Sequence, residues 1–217
     1  MALPVITIDG PAGAGKSTVA KRVATSLGLT YLDTGAMYRA VTLLAQRTGV
    51  DVNDDLLLKR LAEDISLKLT GGRVYLNGED VSEDIRKPEV SDKVSFVARQ
   101  RSVREIMTKL QREMASNGGV VLDGRDMGSV VFPSADYKIF LTASVEERAR
   151  RRHAELEQKG IIVSFDEVKH NIIARDKIDS EREVAPLRVP EGAYILDTTG
   201  LTIDEVVQEI VRKCRID

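Results

Sequence analysis

A glycine-rich segment directly after an apolar run constrains the fold more than any other feature of this sequence. Residues 5–8 read Val-Ile-Thr-Ile, and residues 10–17 then complete the pattern G-x-x-x-x-G-K-[ST]. In this pattern the glycines let backbone N–H groups turn toward phosphate oxygens, the lysine adds a positive charge, and the hydroxyl can bind Mg²⁺. The segment therefore predicts a nucleoside triphosphate site formed by Gly10, Pro11, Ala12, Gly13, Ala14, Gly15, Lys16, Ser17 and Thr18.

Five short apolar runs are distributed along the chain. They cover residues 5–8, 30–32, 120–122, 137–141 and 193–196, and segments with helical patterns lie between them. Apolar runs without alternation are typical of parallel strands that are buried on both faces. We therefore predict an α/β fold with a five-stranded parallel sheet flanked by helices.

The stretch between the second and third runs departs from this alternation. Gly71-Gly72 and Asn77-Gly78 are hairpin-turn dipeptides between alternating segments. They predict a small antiparallel β-insert, and two helices over about 88–98 and 102–116 follow it. We expect a core of residues 1–60 and 118–217 and an insert of about residues 61–117.

A second polar loop, Asp123-Gly124-Arg125-Asp126-Met127-Gly128, follows the third run. Asp123 would lie at the carboxyl end of its strand, where nucleotide-binding sheets place a carboxylate that organises magnesium. We expect Mg²⁺ to be held by Ser17, Asp33 and Asp123.

The sequence does not favour a GTPase. The nearest match to the guanine-reading motif N-K-x-D is Asp176-Lys177-Ile178-Asp179, which lacks the asparagine and follows a helical run. The only D-x-x-G is at residues 197–200, far from a central strand.

Arginines concentrate in the segment from Arg148 to Arg182. Arg148 and Arg152 share a helix face at i, i+4, where like charges repel by a few tenths of a kcal/mol, roughly. A phosphate partner would offset that repulsion, whereas Arg151 can pair with Glu147 or Glu155. Since phosphoryl transfer is stabilised by positive charge that closes over it, we expect a helical lid over about residues 148–184.

Composition excludes several classes of protein. The 217 residues carry 32 Lys and Arg against 34 Asp and Glu, and aromatic residues make up 4% with no tryptophan. This balance disfavours a nucleic-acid polymer as partner. No apolar run approaches the roughly 20 residues of a membrane helix, and the single cysteine fits a reducing compartment. We expect a cytoplasmic monomer that acts on small molecules.

Several segments resemble bacterial cytidylate kinases, which are P-loop nucleoside monophosphate kinases. They are Ile6-Thr-Ile-Asp9 with the glycine-rich loop, Leu32-Asp-Thr-Gly-Ala-Met-Tyr-Arg39, Asp123-Gly-Arg-Asp-Met-Gly-Ser-Val-Val-Phe-Pro133 and Arg182-Glu-Val-Ala-Pro186. The resemblance covers nearly the whole chain, and the D-G-R-D-M-G segment and the β-insert are its most specific parts. It implies the P-loop nucleotide kinase fold and transfer of a phosphoryl group from ATP to CMP or dCMP, within pyrimidine nucleotide metabolism.

The resemblance also implies roles for individual residues. The acceptor nucleotide would be surrounded by Thr34, Tyr38, Arg39, Ser95, Arg104, Arg125, Asp126, Arg175, Asp179 and Arg182. Within that set, the family pattern has Ser95, Arg104 and Asp126 reading the cytosine edge, and Asp179 meeting the sugar hydroxyls. The developing charge would be stabilised by Lys16, Arg125, Arg148, Arg152, Arg175 and Arg182.

The chemistry of these residues agrees with a cytosine acceptor. The cytosine edge has an amine donor beside acceptor positions, which a carboxylate and an arginine can read together. Two alternatives remain at this stage. A P-loop kinase of another small acceptor (dTMP, UMP, AMP or shikimate) would share the loop and the lid, and a regulatory ATP-binding module would lack an acceptor site.

Overall fold

The computed structural model describes residues 3–214. Its strands are β1 Val5–Asp9, β2 Thr30–Asp33, β3 Leu67–Thr70, β4 Arg73–Leu76, β5 Glu79–Asp80, β6 Val120–Gly124, β7 Tyr137–Thr142 and β8 Tyr194–Asp197. Its helices are α1 Lys16–Leu27, α2 Thr34–Thr48, α3 Asp55–Glu63, α4 Pro88–Ala98, α5 Arg101–Met114, α6 Val145–Gln158, α7 Phe165–Glu181 and α8 Ile203–Lys213. A 3₁₀ turn covers Asp84–Arg86, and a π-helical turn covers Met127–Val131.

The main sheet has five parallel strands in the order β2-β6-β1-β7-β8. This confirms the predicted fold class. The central strands β1 and β6 are buried on both faces because helices cover them, as their continuous apolar sequences predict. Ile6, Val121 and Ile139 of this sheet pack in one core with residues of α1 and α8.

The insert contains the expected antiparallel sheet in the order β3-β4-β5. The two dipeptides lie at its turns, since β3 ends before Gly71-Gly72 and β4 ends before Asn77-Gly78. Helices α4 and α5 follow, close to the predicted bounds. A second core joins the insert to α2 and α3, with Val41, Leu58 and Met107 fully buried.

Helices α6 and α7 form an antiparallel pair with its own small core of Ala149, Leu156, Val168 and Ile172. Gly160 has φ 71° and allows the chain to leave α6. The side chain of Asn171 donates to Asp92 of α4 at 2.7 Å, so this helical pair also contacts the insert. The residues Asp176-Lys177-Ile178-Asp179 lie inside α7, which agrees with their exclusion as a guanine-reading motif.

The sequence pattern [ST]-x-x-E predicts capping boxes at Ser144, Ser164 and Thr202, and those at Ser164 and Thr202 are complete. The box at Ser144 is only half formed, so that prediction was wrong in part. Ser144 accepts the Glu147 N–H, but the Glu147 carboxylate does not return to the Ser144 N–H. It pairs instead with Arg150 and Arg151, because charged partners are available one turn along the helix. No helix within residues 3–214 is both long and apolar enough to cross a membrane.

Candidate active site

The predicted phosphate loop runs from the carboxyl end of β1 into the first turn of α1. Its backbone has positive φ at Gly10, Gly13 and Gly15, with values of 149°, 74° and 82°. A Cβ at Gly10 would lie 2.1 Å from the Leu141 carbonyl oxygen, so no side chain fits there. Helix α1 has no acidic residue in its first turn and no side-chain cap. Its first N–H groups are therefore suited to an anion.

Lys16 is buried within this loop. It is 6% exposed, and its Nζ donates to the Pro11 carbonyl oxygen at 2.6 Å. Burial lowers the pKa of Lys16 well below its usual value, and the nearby Arg125 lowers it further, whereas Asp123 acts in the opposite direction. A bound phosphate would add negative charge beside the ammonium group and would oppose that lowering.

Two residues that were predicted to bind the metal through oxygen atoms, Ser17 and Asp123, contact each other directly. The Ser17 hydroxyl donates to Asp123 Oδ2 at 2.7 Å, and the Tyr31 hydroxyl donates to Asp123 Oδ1 at 2.8 Å. Asp33 lies opposite Asp123 in the pairing of β2 with β6. Its two oxygens are already engaged, one with the Ala36 N–H and the other with Arg86. Asp33 therefore contributes a negative charge near the metal site, and its oxygens bond to other groups.

The electrostatics of Asp123 suit a divalent cation. Burial, followed by the charge of Asp33, raises the pKa of Asp123 to about 6. A cation beside Asp123 would relieve both effects. Carboxylate and hydroxyl oxygens with phosphate are the ligand set that Mg²⁺ takes in nucleotide sites. Ser17 and Asp123 thus fit this ion, although residues 3–214 contain no group of three or more His, Cys, Asp or Glu arranged as a metal cage.

Asp126 is held between two arginines in the interior. It is 2% exposed, its Oδ2 pairs with Arg104, and its Oδ1 accepts from Arg182 Nη2 at 3.2 Å. Each arginine is also fixed by a backbone carbonyl: Arg104 donates to Ala98 at 3.1 Å and Arg182 donates to Ala185 at 2.7 Å. The three predicted side chains therefore form one rigid, nearly dry cluster.

Three other predicted acceptor residues border this cluster or the metal site. The Arg104 guanidinium lies over the Tyr38 ring, 5.5 Å from its centroid. Ser95 is buried on α4 one turn before Ala98. The Thr34 hydroxyl donates to the Asp123 carbonyl oxygen at 2.6 Å, so it ties α2 to the end of β6.

Four arginines from three helices and one loop lie close enough for their charges to interact: Arg39, Arg125, Arg152 and Arg175. Burial and the charges of Arg39 and Arg125 lower the pKa of Arg175 to about 9. Burial likewise lowers the pKa of Arg39 to about 10, with Arg152 among the charges that contribute. Asp179 partly balances the group, since it accepts from Arg125 Nε at 2.8 Å. Burial raises the pKa of Asp179, but Arg125 and the other arginines outweigh it and hold that pKa below its usual value.

Arg175 lacks a partner of its own. Its Nε is buried and has no hydrogen-bond acceptor within residues 3–214. Unpaired buried donors are rare in folded proteins because each costs about 1–3 kcal/mol. A cluster of mutually repelling arginines with an unused donor is chemically suited to a small, multiply charged anion.

Arg148 occupies a different position from these arginines. It is 5% exposed, donates to the Ala12 carbonyl oxygen at 2.8 Å and pairs with Asp176 of α7. Asp176 also accepts the Ala12 N–H at 2.9 Å, so α6 and α7 are anchored on the phosphate loop. Arg152 pairs with Glu155. Protein carboxylates thus offset the repulsion between Arg148 and Arg152, and the prediction that a phosphate would also do so stays a prediction.

The pairing of Arg151 confirms one of its two predicted partners. Arg151 pairs with Glu147, and it also donates to Thr198. Glu155, the other option, pairs with Arg152 and Lys159 instead.

Three polar residues that were not predicted from the sequence also contact this site. They are Asp9, which accepts two N–H groups from the turn after Asp126; Tyr31, which donates to Asp123; and Asp176. The sequence did contain one indication for Asp9, because this residue directly precedes Gly10 at the end of an apolar run.

The chain is similar to known proteins over nearly its whole length. The family model for cytidylate kinase matches residues 6–216. A cytidylate kinase of Caldanaerobacter subterraneus subsp. tengcongensis is 54% identical over 210 residues, which cover 97% of this chain and 94% of the relative. A cytidylate kinase of Clostridioides difficile is 50% identical over 212 residues, 98% of each chain.

Among solved structures, a shikimate kinase of Bacteroides thetaiotaomicron superposes with a TM-score of 0.51. The sequence identity is 16%, and the alignment covers 99% of this chain and 100% of that one. At this identity the likeness concerns the fold alone.

Proposed function

The chain belongs to the cytidylate kinase family, and on that premise we propose that this site transfers the γ-phosphoryl group of ATP to CMP or dCMP, giving CDP or dCDP and ADP. One observation carries the assignment of the site. Asp176, which follows Arg175 on α7, accepts the N–H of Ala12 in the phosphate loop at 2.9 Å, so the helix that carries Arg175 contacts that loop directly. The two anion sites therefore adjoin, as an in-line transfer between two phosphates requires.

The donor would bind on residues 10–18. Backbone N–H groups of the loop and of the first turn of α1 would hold the β- and γ-phosphates, with Lys16 supplying charge to them. Ser17 and Asp123 would hold the Mg²⁺ that accompanies ATP, with the charge of Asp33 behind them. When bound, that ion would neutralise negative charge on the phosphates. Chelation of divalent cations with EDTA should abolish turnover, and added Mg²⁺ should restore it.

The acceptor would bind beneath the insert. Arg39, Arg125, Arg175 and Arg182 would hold its phosphate, and Asp179 would meet the sugar hydroxyls. No general base is needed at this site, since the attacking phosphate oxygen already carries negative charge. Arg148 and Arg152 of the lid, about residues 148–184, would add positive charge as the lid excludes water that could otherwise take the phosphoryl group.

The base would be read by Asp126 and Arg104, with Ser95 and Tyr38 beside them. Carboxylate oxygens of Asp126 retain lone pairs beyond those taken by the two arginines, so they can accept the exocyclic amine of cytosine. Uracil presents a carbonyl oxygen at that position. Two acceptors would then face each other in a buried site, at a cost of about 1–3 kcal/mol.

An ADP-release assay coupled to NADH oxidation tests this function. CMP, dCMP, UMP, dTMP, AMP and GMP are compared as acceptors at fixed ATP and Mg²⁺. We expect kcat/KM to be highest for CMP or dCMP and roughly tenfold to a hundredfold lower for UMP. A maximum on any other acceptor would overturn the proposed function.

We also propose that two parts of the chain have different roles. Residues 1–60 and 118–217 would form the catalytic core, and residues of about 61–117 would form the wall that covers the acceptor. The antiparallel sheet β3-β4-β5 of the insert, which is separate from the five-stranded sheet, supports this division.

We propose further that the protein is a cytoplasmic monomer that does not bind nucleic-acid polymers. The single cysteine, Cys214, is buried and free. The large apolar side chains that are exposed come from separate elements, such as Leu56 on α3, Ile173 on α7 and Ile195 on β8. Light scattering after gel filtration tests the oligomeric state, with a mass near 23.9 kDa expected.

A further inference from the structure

A buried carboxylate links the donor loop to the loop that carries Asp126. Asp9 is the last residue of β1 and is fully buried. Its Oδ1 accepts the Met127 N–H at 2.8 Å, and its Oδ2 accepts the Gly128 N–H at 2.7 Å. Both oxygens are therefore committed to two consecutive backbone groups that lie 118 and 119 positions away in the sequence.

The position of these bonds is more informative than their number. Asp9 directly precedes the phosphate loop, and Met127 directly follows Asp126. The backbone of Asp126 has φ −143° and ψ 19°, outside regular helix and strand, and the π-helical turn begins immediately after it. Two bonds from one rigid carboxylate fix the orientation of that turn, and hence the direction from which Asp126 reaches Arg104 and Arg182.

The loop is also packed tightly against β1. A Cβ at Gly128 would lie 2.8 Å from the Thr7 hydroxyl oxygen and 3.1 Å from Pro190 Cγ. The turn therefore has little room to shift while the two bonds to Asp9 remain.

A carboxylate is a costly way to fasten a loop in the interior. Burial raises the pKa of Asp9 to about 7, the two N–H bonds oppose that rise, and the charge of Asp126 adds to it. Lys16 is the cation that faces Asp9 from α1. A buried carboxylate must be compensated by hydrogen bonds or an opposite charge. A side-chain amide, which has one oxygen, cannot reproduce its acceptance of two parallel N–H bonds.

We propose that Asp9 is a positioning residue for base recognition: it touches neither nucleotide, but it sets the 126–128 backbone so that Asp126 meets the acceptor base in one orientation. This inference rests on the proposed function, because it assumes that Asp126 reads the base. It assigns part of the discrimination between cytosine and uracil to a residue of the donor side of the site.

Asp9→Asn is the direct test. Asparagine keeps one oxygen acceptor, but its NH₂ group faces the second backbone N–H, so one of the two bonds is lost. We expect the ratio of kcat/KM for CMP to kcat/KM for UMP to fall by about three- to tenfold, as for loss of one hydrogen bond. The KM for ATP should stay within about twofold, since the phosphate loop keeps its own contacts. A purely structural role would lower kcat/KM for both acceptors by the same factor.

Asp136→Asn is the matched control. Asp136 is an exposed carboxylate that also accepts a backbone N–H of β1, that of Val5, at 2.8 Å, but it lies away from the site. Its CMP to UMP ratio should equal that of the wild type. A double variant, Asp9→Asn with Asp126→Asn, tests the route: if Asp9 acts through Asp126, the double variant should show no lower ratio than Asp126→Asn alone.

If Asp9→Asn does not fold, the variant Gly128→Ala provides a second test. The added Cβ would push the turn away from Thr7 and Asp9 while leaving the carboxylate intact, so the same fall in the ratio is expected. An unchanged ratio in the folded variants, beside a wild type that prefers CMP, overturns this inference alone. A wild type that does not prefer CMP overturns the proposed function and this inference with it.

Discussion

Replacement of Asp126 by asparagine perturbs fold and specificity by amounts that can be separated. The Asp126 carboxylate is 2% exposed and is the shared partner of Arg104 and Arg182, which are 3% and 7% exposed. Asparagine has nearly the same shape and keeps one acceptor oxygen. It removes the negative charge that both guanidinium groups face, and it presents an NH₂ group to one of them.

The loss of charge sets the expected change in stability. Removal of one partner from a buried ion pair costs about 3–5 kcal/mol, because the remaining charge stays in the interior without compensation. For a chain of this size that corresponds to a fall in Tm of roughly 6–20 °C. The oxygen that asparagine keeps places the expected value in the lower half of this range.

The exchange of an acceptor for a donor sets the expected change in specificity. The cytosine amine loses its acceptor in Asp126→Asn, whereas the uracil carbonyl gains the asparagine NH₂ as a donor. The ratio of kcat/KM for CMP to that for UMP should fall roughly tenfold to a hundredfold. Measurement at 20 °C keeps the variant folded while the coupled assay is run.

Asp204→Asn serves as the control for loss of a carboxylate. Asp204 pairs with Arg22 at the surface, where its side chain is 68% exposed, and such pairs contribute about 0–1 kcal/mol. If Asp126→Asn melts within about 2 °C of this control, Asp126 is not the counter-charge of two buried arginines. If its CMP to UMP ratio equals that of the wild type, the base is read by other residues.

Three further predictions follow from the same contacts. Lys16→Ala should lower kcat by at least about a hundredfold with an unchanged far-UV spectrum; near-normal turnover would show that ATP binds elsewhere. Arg175→Met should raise the KM for CMP at least about tenfold while leaving Tm unchanged or higher, because it removes an unpaired buried donor; a marked fall in Tm would contradict the absence of a partner. Asp9 should make stability pH-dependent: its pKa is about 7 in the folded protein and near 3.8 unfolded, so the folded state binds more protons between these values. The free energy of unfolding from this group should therefore fall as pH rises from about 4 to 7, and urea titrations should show that this slope is absent in Asp9→Asn.

The sheet was predictable because its strands carry their own signal. Residues 5–8 and 120–122 are continuous apolar runs, and both lie in strands buried on two faces. Helix α3 was not predicted, although its buried residues Leu58 and Ala62 have the i, i+4 spacing of a one-sided helix. The exposed Leu56 and Leu57 directly before Leu58 obscure that spacing in the sequence.

The site was predictable where function resides in a local motif, and less so where it depends on distant contacts. The phosphate loop is contiguous, so its residues could be named from the sequence. The bond from Asp176 to the Ala12 N–H joins residues 164 positions apart, and Asp9 reaches residues more than 100 positions away. Asp176 has no neighbour in sequence that distinguishes it from an ordinary helix residue, and the position of Asp9 before Gly10 does not show which N–H groups it binds. Only the folded chain brings their partners to them.

The arginines of this cleft fall into two groups that follow from their partners. Arg104, Arg148 and Arg182 each pair with a buried or half-buried carboxylate, so part of their charge is balanced before any nucleotide binds. Within residues 3–214, Arg39 and Arg175 form no ion pair, and burial with neighbouring arginines lowers the pKa of both. Such poorly compensated charge would be relieved by a small anion, as the proposed function requires. A net charge of −2 does not oppose that proposal: what matters for a small ligand is the local excess of unpaired cations, whereas a nucleic-acid polymer would need that excess across a surface.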